Sequence, residues 1–254
     1  ESPLWLAQKG RRAEAQAIVD GIYGPGYFIP HEEETAKIPL GTLLKSGYFK
    51  RIAFIAVFIM CQVVPMYAIY TFGPDIMTAF GLGEGRASIL GESLVSLFFL
   101  IGSFPAMFWL NSMGRRKLVL LSLTMMLVGL AVLGLWPAAP IAVVVVAFGL
   151  YAFFSGGPGI LQWLYPNELF PTSVRASAVG IAISFSRVFT IIATYATPLV
   201  LADFGIGVTM LIAAGLVAAG LVLSFLFAPE TKGLSLVEAS SLGTGAGSRA
   251  PGGR

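Results

Sequence analysis

Six long apolar stretches, separated by short polar segments, occupy most of the chain. They fall at residues 52–72, 88–110, 118–136, 141–164, 179–201 and 206–227. A helix of about 20 apolar residues crosses the hydrocarbon core of a bilayer, whereas a barrel strand needs only about 10 residues and alternates in polarity. The pattern therefore predicts an all-α membrane protein with six transmembrane helices.

A polar segment precedes the first apolar stretch. Residues 7–22 predict a short amphipathic helix, which the Gly-Pro-Gly sequence at 24–26 would end. The acidic run at 32–34 suits the start of another short helix, because negative charge is favourable at a helix N-terminus. The apolar side of the first helix is expected to consist of Leu6, Ala13, Ala17 and Ile18.

These boundaries divide the chain into three predicted regions. Residues 1–50 form a cytoplasmic helical linker, for which a plain solvated linker is the alternative. Residues 51–228 form the six-helix transmembrane domain. Residues 229–254 form a cytoplasmic tail that is rich in Gly, Ser and Ala, and we expect it to be disordered after about residue 240.

The distribution of charge predicts the orientation of the helices. Only 11% of the residues are charged, whereas soluble domains carry roughly 25%. With six crossings both chain ends lie on one side, which holds 14 of the 16 Lys and Arg residues; Arg86 lies opposite and Arg187 lies within the fifth stretch. Because basic loops stay in the cytoplasm, both termini are predicted to be cytoplasmic, at the plasma (inner) membrane. No nucleic-acid partner is needed to explain the positive charge.

Residue types that carry catalysis or bind metals are sparse. Cys61 is the only cysteine, which excludes an internal disulfide and a cysteine-based metal cluster. There is no G-x-x-x-x-G-K-[ST] motif for a nucleotide phosphate. No set of His, Cys and carboxylate residues recurs within an apolar stretch. We therefore expect neither an enzyme nor a bound cofactor or metal.

Charged motifs mark the turns on the basic side. The chain begins Glu-Ser-Pro-Leu-Trp-Leu, and Pro-Glu-Thr-Lys-Gly at 229–233 follows the last apolar stretch. Between them lie Asn-Ser-Met-Gly-Arg-Arg-Lys at 111–117 and Pro-Asn-Glu-Leu-Phe-Pro-Thr-Ser-Val-Arg at 166–175. Together these motifs resemble those of the major facilitator superfamily, in its sugar-porter and metabolite:H+ symporter branches. The resemblance implies the C-terminal half of a transporter, made of two inverted three-helix repeats, without its N-terminal six-helix half.

The same resemblance implies a gating network in these turns. Glu168 is expected to reach Arg115 or Arg116, and Arg175 is expected to reach Glu230. Such pairs would hold the helices together while the cytoplasmic side is closed. An exposed ion pair contributes only about 0–1 kcal/mol, which suits a contact that must open. Simple membrane anchoring is the alternative role for the two arginines of the first turn.

Polar and aromatic residues in the first, fourth and fifth stretches could contact a solute. The predicted solute-binding residues are Gln62, Tyr67, Tyr70, Gln162, Trp163 and Arg187. The resemblance implies that Gln62 is one member of the sugar-porter glutamine pair, while Cys61 and Tyr67 stand where sugar porters have the other glutamine and an asparagine. These replacements favour a flatter or less hydroxylated solute than a hexose. An interfacial anchor is the alternative for Trp163.

Arg187 is the strongest single candidate. An arginine near the centre of a membrane span costs roughly 2.5–3.5 kcal/mol, so its side chain must face protein or water. Thr190, Thr194 and Thr197 follow at helical spacing and predict a polar stripe that faces the central cavity. Because guanidinium binds carboxylate in a planar fork, we expect an organic anion or a polyol acid in place of a neutral hexose. A structural arginine that satisfies backbone carbonyls is the alternative.

The combined prediction is a secondary active transporter that works by alternating access. Its solute would be a small metabolite, either sugar-like or an organic acid, with H+ as the candidate coupling ion. The lipid bilayer and the absent six-helix half are the expected partners. The alternative is a truncated or non-transporting membrane protein, such as a sensor, that retains the fold.

Overall fold

A computed structural model describes residues 3–8, 10–24, 27, 48–81, 86–170 and 172–233. The chain divides into two compact units, Glu1–Pro39 and Leu40–Arg254. The first unit contains α1 (Pro3–Gln8) and α2 (Arg12–Tyr23). The second unit contains α3 (Phe49–Thr71), α4 (Gly73–Ala79), α5 (Arg86–Met113), α6 (Arg115–Leu135), α7 (Ile141–Leu169) and α8 (Thr172–Phe227). The predicted helix at the acidic run 32–34 and the predicted disordered tail lie outside the described residues.

The predicted helix over residues 7–22 is interrupted. Gly10 has a φ of +78°, a left-handed conformation that glycine adopts without a steric penalty, and it separates α1 from α2. Just before α2, Arg11 donates to the Glu14 carboxylate from Nε at 2.9 Å and from Nη2 at 2.6 Å. This contact holds the pKa of that carboxyl below its ordinary value. A glycine at the start of the amphipathic segment is therefore a helix boundary.

The apolar face of α2 differs from the predicted one. Ala15 and Val19 are buried together with Leu6 of α1, whereas Ala13 and Ala17 are exposed. Residues four apart lie on the same side of a helix, so Ala15 and Val19 form the packed stripe. The burial of Leu6 agrees with the prediction, whereas the predicted positions Ala13 and Ala17 were wrong, because the helical phase changes at the break between α1 and α2.

Helix α8 is too long for a single membrane crossing. Its 56 residues would extend roughly 84 Å, against a hydrocarbon core of about 30 Å. Gly205 lies within it at φ 78° and ψ 175°, which is not helical. The beginning of α8 follows directly after α7, and the Phe225 carbonyl near its other end accepts a hydrogen bond from Arg116 at the start of α6. Arg115 in turn pairs with Glu168 near the end of α7, so both ends of α8 lie at the same end of the bundle.

We therefore divide α8 into two antiparallel arms, α8a (172–204) and α8b (206–227). Within the described residues, five helices have the length and apolar composition of a membrane span, and α8 supplies two of the crossings. The all-α membrane fold of the sequence prediction is confirmed. The fourth helix continues five residues beyond its predicted end at 164 and reaches the Glu-Leu-Phe motif.

The first apolar stretch forms one helix that ends just before a second, short helix. Pro65 lies inside α3, and Phe72 separates α3 from α4 with a φ of −109° and a ψ of 23°. Pro74 stands in the first turn of α4, where its missing N–H group has no helical partner in any case. The largest fully buried side chains of the second unit lie in α3 and along or just beyond α7: Phe58, Phe148, Tyr151, Tyr165 and Phe170.

Two adjacent glycines of α7 fix its position between α5 and α6. A Cβ atom at Gly156 would lie 2.8 Å from the backbone nitrogen of Ser103 in α5. At Gly157 it would lie 2.5 Å from the Ser122 hydroxyl of α6. Small residues at such crossings let membrane helices approach closely. The outward-facing residues of α7 are therefore positioned by contacts on two sides.

We expect Gly156→Ala to lower the free energy of unfolding by about 1–3 kcal/mol, since the added methyl group meets backbone atoms that cannot move aside easily. Gly215→Ala is the matched control, because an added Cβ there has no neighbour within 4 Å. Unfolding of both purified variants in detergent checks the prediction. Equal stability of the two variants would contradict the close contact of α5 and α7.

Candidate functional site

One end of the second unit carries a network of charged and polar groups. We call it the basic end, because Arg115, Arg116, Lys117, Arg175 and Lys232 lie there. Glu168 of α7 is its central acceptor. Arg115 donates to Glu168 from Nη2 at 2.7 Å and from Nε at 3.2 Å, and Thr231 donates its hydroxyl at 2.5 Å. The predicted contact of Glu168 with one of the two arginines is confirmed for Arg115. Together with Thr231, this contact joins α6, α7 and the segment after α8b.

Glu230 has a different partner from the predicted one. Its two carboxylate oxygens accept the backbone N–H groups of Arg115 at 3.0 Å and Arg116 at 3.2 Å, where α6 begins. Arg175 donates from Nε to the Phe170 carbonyl at 3.2 Å. The predicted pair of Arg175 and Glu230 is therefore wrong in this structure. The first N–H groups of a helix lack partners within the helix and attract a carboxylate, which explains the position of Glu230.

Cations at the basic end also bind backbone carbonyls at helix ends. Arg116 donates from Nη2 to the Phe225 carbonyl of α8b at 2.9 Å. Arg51, at the start of α3, donates from Nη1 to the Leu169 carbonyl at 3.0 Å, where α7 ends. The last carbonyls of a helix carry partial negative charge, so such contacts are favourable. Arg51 was not among the predicted gating residues, although its place at a helix start near other basic residues could have indicated it.

Two further contacts tie the segment after α8b to the bundle. Tyr165 of α7 donates its hydroxyl to the Pro229 carbonyl, and Lys232 donates from Nζ to the Ser112 carbonyl at 2.5 Å. Neither residue was predicted to take part. The sequence shows that these side chains can donate hydrogen bonds, but it does not identify the acceptors, because they lie more than 60 residues away in the chain.

A small pocket brings together three of the six predicted solute-binding residues, Gln162, Trp163 and Arg187. Its lining comes from α3, α7 and α8a and consists of Ile59, Val63, Gln162, Trp163, Ile183, Ser186 and Arg187. We call it the Arg187 pocket. The Cζ atom of Arg187 lies 5.1 Å from the centre of the Tyr67 ring, within the range of a cation–π contact. Thus Tyr67, Gln162, Trp163 and Arg187 are neighbours, although their binding role stays a prediction.

The positive charge of Arg187 is not neutralised within the described part of the chain. No carboxylate there pairs with it, and its side chain is exposed. An arginine offers five N–H donors in a planar fork, and the Tyr67 ring face occupies none of them in a hydrogen bond. The pocket itself has a volume of only about 10 Å³, room for about one water molecule, so an anion would meet the guanidinium from its exposed side.

The predicted polar stripe on α8a does not face this pocket. Thr190 and Thr197 are 6% and 7% exposed and donate their hydroxyls to the carbonyls of Ser186 and Ala193 in their own helix. Thr197 instead lines an apolar cavity of about 90 Å³ between α3 and the two arms of α8. Thr190 and Thr197 therefore do not line the Arg187 pocket, because a threonine can satisfy its hydroxyl one turn back and present its methyl group to a neighbouring helix. The wider prediction that the stripe faces a central cavity stays a prediction.

Gln62 and Tyr70 lie apart from the Arg187 pocket. Gln62 is fully buried, and its Nε2 atom lies 3.9 Å from the Met66 sulfur. The Tyr70 hydroxyl is buried beside Ser155 without a hydrogen bond of good geometry, while its ring packs against Phe99 with centroids 6.1 Å apart. In this conformation a solute in the Arg187 pocket would not meet either side chain.

In the described part of the chain, six membrane-length arms, a charged network at one end and a pocket between three arms fit the major facilitator class of membrane transporters. The chain belongs to the sugar (and other) transporter family, whose family model matches residues 1–242.

Relatives and solved structures agree with this assignment. The chain is 49% identical over 243 residues to the putative metabolite transport protein YaaU of Escherichia coli, covering 95% of this chain and 54% of that protein. It is 34% identical to the inner membrane metabolite transport protein YgcS of Escherichia coli, and the match covers 96% of this chain and 54% of that protein. The proton:xylose symporter XylE from E. coli matches with a TM-score of 0.78 at 23% identity, covering 96% of this chain and 54% of XylE. The chain therefore spans about half the length of the relatives that it matches.

We expect Glu168→Gln to open the basic end. The substitution removes the negative charge that accepts hydrogen bonds from Arg115 and Thr231. Hydrogen bonds to a charged group contribute about 1.5 kcal/mol or more, so their loss should raise the population of the open state roughly tenfold. A cysteine introduced as Ala228→Cys reports this opening, because Ala228 is 4% exposed and lies beside Pro229. Its reaction with a membrane-impermeant maleimide should become about tenfold faster in the Glu168→Gln background.

Lys117→Gln is the matched control for this measurement. Lys117 carries a charge on the same helix as Arg115 but forms no hydrogen bond or ion pair with any residue that the structure describes. It should leave the labelling rate of Ala228→Cys unchanged. Equal rates in the Glu168→Gln and parent backgrounds would show that the network does not keep this end closed.

Proposed function

We propose that the chain is the C-terminal half of a secondary active transporter that moves a small organic anion across the plasma (inner) membrane. The observation that carries this proposal is the unneutralised charge of Arg187, inside a membrane-length helix and beside Gln162 and Trp163. Placing such a charge in a membrane span is unfavourable, so its position needs a compensating role. Binding the carboxylate of a solute provides one.

Alternating access is the mechanism that the basic-end network supports best. In this proposal the basic end faces the cytoplasm, because Lys and Arg concentrate on that side of membrane proteins. Glu168 then joins α6 to α7 while the cytoplasmic side is closed. When Arg115 and Thr231 release Glu168, α7 is free to move away from α6. Both chain ends lie in the cytoplasm in this arrangement.

The missing partner in this proposal is an N-terminal six-helix half. A groove of about 930 Å³ runs between α5 and α7, and its lining is mainly apolar. The lining residues include Phe104, Met107, Phe108 and Trp163. Because the chain spans about half the length of its relatives, a second half is the natural cover for this groove, with the lipid bilayer around the remaining apolar surface. The Arg187 pocket would then be completed by side chains of the other half.

Protons are the proposed coupling ion. The name of XylE describes a proton:xylose symporter, which provides a precedent within the same fold. Among the residues that the structure describes, no carboxylate and no histidine lines the Arg187 pocket. We therefore propose a proton-binding group outside this pocket. A neutral sugar is the second candidate solute, since the family model describes sugar transporters as well as others.

We expect Arg187→Lys in the full-length protein to raise the KM for uptake of an organic acid by about tenfold or more. The variant keeps the charge but loses the planar fork, and hydrogen bonds to a charged group contribute about 1.5–3 kcal/mol. Ser184→Ala, on the exposed surface of the same helix and outside the pocket, is the control and should leave KM unchanged. Uptake into cells is measured with and without an uncoupler.

Three results would count against this proposal. An unchanged KM in Arg187→Lys would remove Arg187 from solute binding. Uptake of a neutral sugar without any uptake of an acid would contradict the anion as solute. Accumulation that persists in the presence of the uncoupler would contradict proton coupling.

A further inference from the structure

We propose that one water molecule binds inside the second unit, where the hydroxyl groups of Tyr70, Tyr151 and Ser155 meet between α3 and α7. We call this place the hydroxyl site. None of its three residues lines the Arg187 pocket. The inference therefore does not depend on the identity of the solute or on the proposed function.

Tyr151 of α7 provides the first observation. Its side chain is 0% exposed, and its hydroxyl has no hydrogen-bond partner among the residues that the structure describes. A buried tyrosine hydroxyl usually has a partner, and leaving it unpaired is unfavourable. A phenylalanine would fill nearly the same space without that cost. The tyrosine at this position therefore indicates a partner that the described protein atoms do not supply.

A second unpaired hydroxyl lies close to the first. The Tyr70 hydroxyl, near the end of α3, is also buried without a hydrogen-bond partner in the described part of the chain. It interacts electrostatically with Tyr151 and lies beside Ser155. The Phe99 ring of α5 packs edge-on against the Tyr70 ring, with centroids 6.1 Å apart, and limits its movement. Two unpaired donors from different helices therefore meet in one place.

Ser155 supplies an acceptor at the same place. Its hydroxyl donates to the Ala152 carbonyl at 2.7 Å, so its hydrogen is used and its oxygen can only accept. A water molecule can accept from both tyrosines and donate to Ser155. These three hydrogen bonds are about the usual number for a buried water. A divalent cation does not fit, because hard cations take carboxylate oxygens and the three hydroxyl groups are neutral.

The hydroxyl site gives α3 and α7 a shared polar contact. The same two helices line the Arg187 pocket, through Ile59 and Val63 of α3 and Gln162 and Trp163 of α7. A water bridge is nearly as favourable in enthalpy as a direct hydrogen bond. Because a water molecule can reorient, the bridge can follow small shifts between its partners. The site therefore joins the two helices without fixing their separation.

The test is hydroxyl-radical labelling of the purified full-length protein, with the modified residues located by mass spectrometry. Radicals made from water by irradiation modify a buried ring only where water lies beside it. Tyr165 is the matched control, because it is also 0% exposed but donates its hydroxyl to the Pro229 carbonyl. We expect Tyr151 to be modified faster than Tyr165 by about fivefold or more, because a water lies against its hydroxyl. Equal rates, or a slower rate at Tyr151, would overturn the proposal.

A double-mutant cycle tests whether one water serves both tyrosines. Tyr70→Phe and Tyr151→Phe should each raise the equilibrium constant for unfolding in detergent. Because either change removes a partner of the same water, the double variant should raise it by roughly threefold less than the product of the single effects. Tyr70→Phe combined with Tyr165→Phe is the control and should give the full product. A full product for Tyr70 and Tyr151 as well would overturn a shared water.

Discussion

The low dielectric constant of the bilayer is the constraint on which the rest of the structure depends. A charge there must be paired, hydrated or used in function. At the basic end two carboxylates are paired in this way: Glu168 lies between Arg115 and Thr231, and Glu230 accepts backbone N–H groups of α6. Arg187 lies well inside a described span, and its guanidinium contacts an aromatic ring instead of a carboxylate. We interpret this unneutralised cation as the functional centre of the chain.

Helix α7 connects this centre to the basic end. Gly156 and Gly157 fix its middle against α5 and α6 through contacts that leave no room for a side chain. Gln162 and Trp163 follow at the pocket, and Glu168 follows near the end of the same helix. A movement of α7 that breaks the Glu168 contacts therefore also moves one wall of the pocket. Solute binding and opening of the basic end involve the same helix in the mechanism that we propose.

Much of the fold was predictable because membrane spans need length and apolar composition, and both can be read directly from the sequence. The contact of Glu168 with the arginine pair was predicted through the resemblance of its motif. The partner of Glu230 was not, because a carboxylate can bind either a cation or the free N–H groups at a helix start, and only the packing of α6 against α8b decides between them. The threonines of α8a do not line the Arg187 pocket for a related reason. Helical spacing shows that side chains share a face, but not that Thr190 can satisfy its hydroxyl within its own helix. The placement of Tyr67 against Arg187 joins two helices, so no local pattern could indicate it.

The most direct test is to measure the equilibrium binding of a carboxylate and of its uncharged amide, benzoate and benzamide. Both are measured on the full-length parent protein and on the Arg187→Gln variant. The two ligands have nearly the same shape and differ in charge, so the comparison isolates the contact between Arg187 and the anion. We predict that Arg187→Gln lowers the affinity for benzoate by about tenfold or more, because hydrogen bonds to a charged group contribute about 1.5–3 kcal/mol. The affinity for benzamide should stay unchanged. An equal effect on both ligands, or no effect on either, would contradict this prediction.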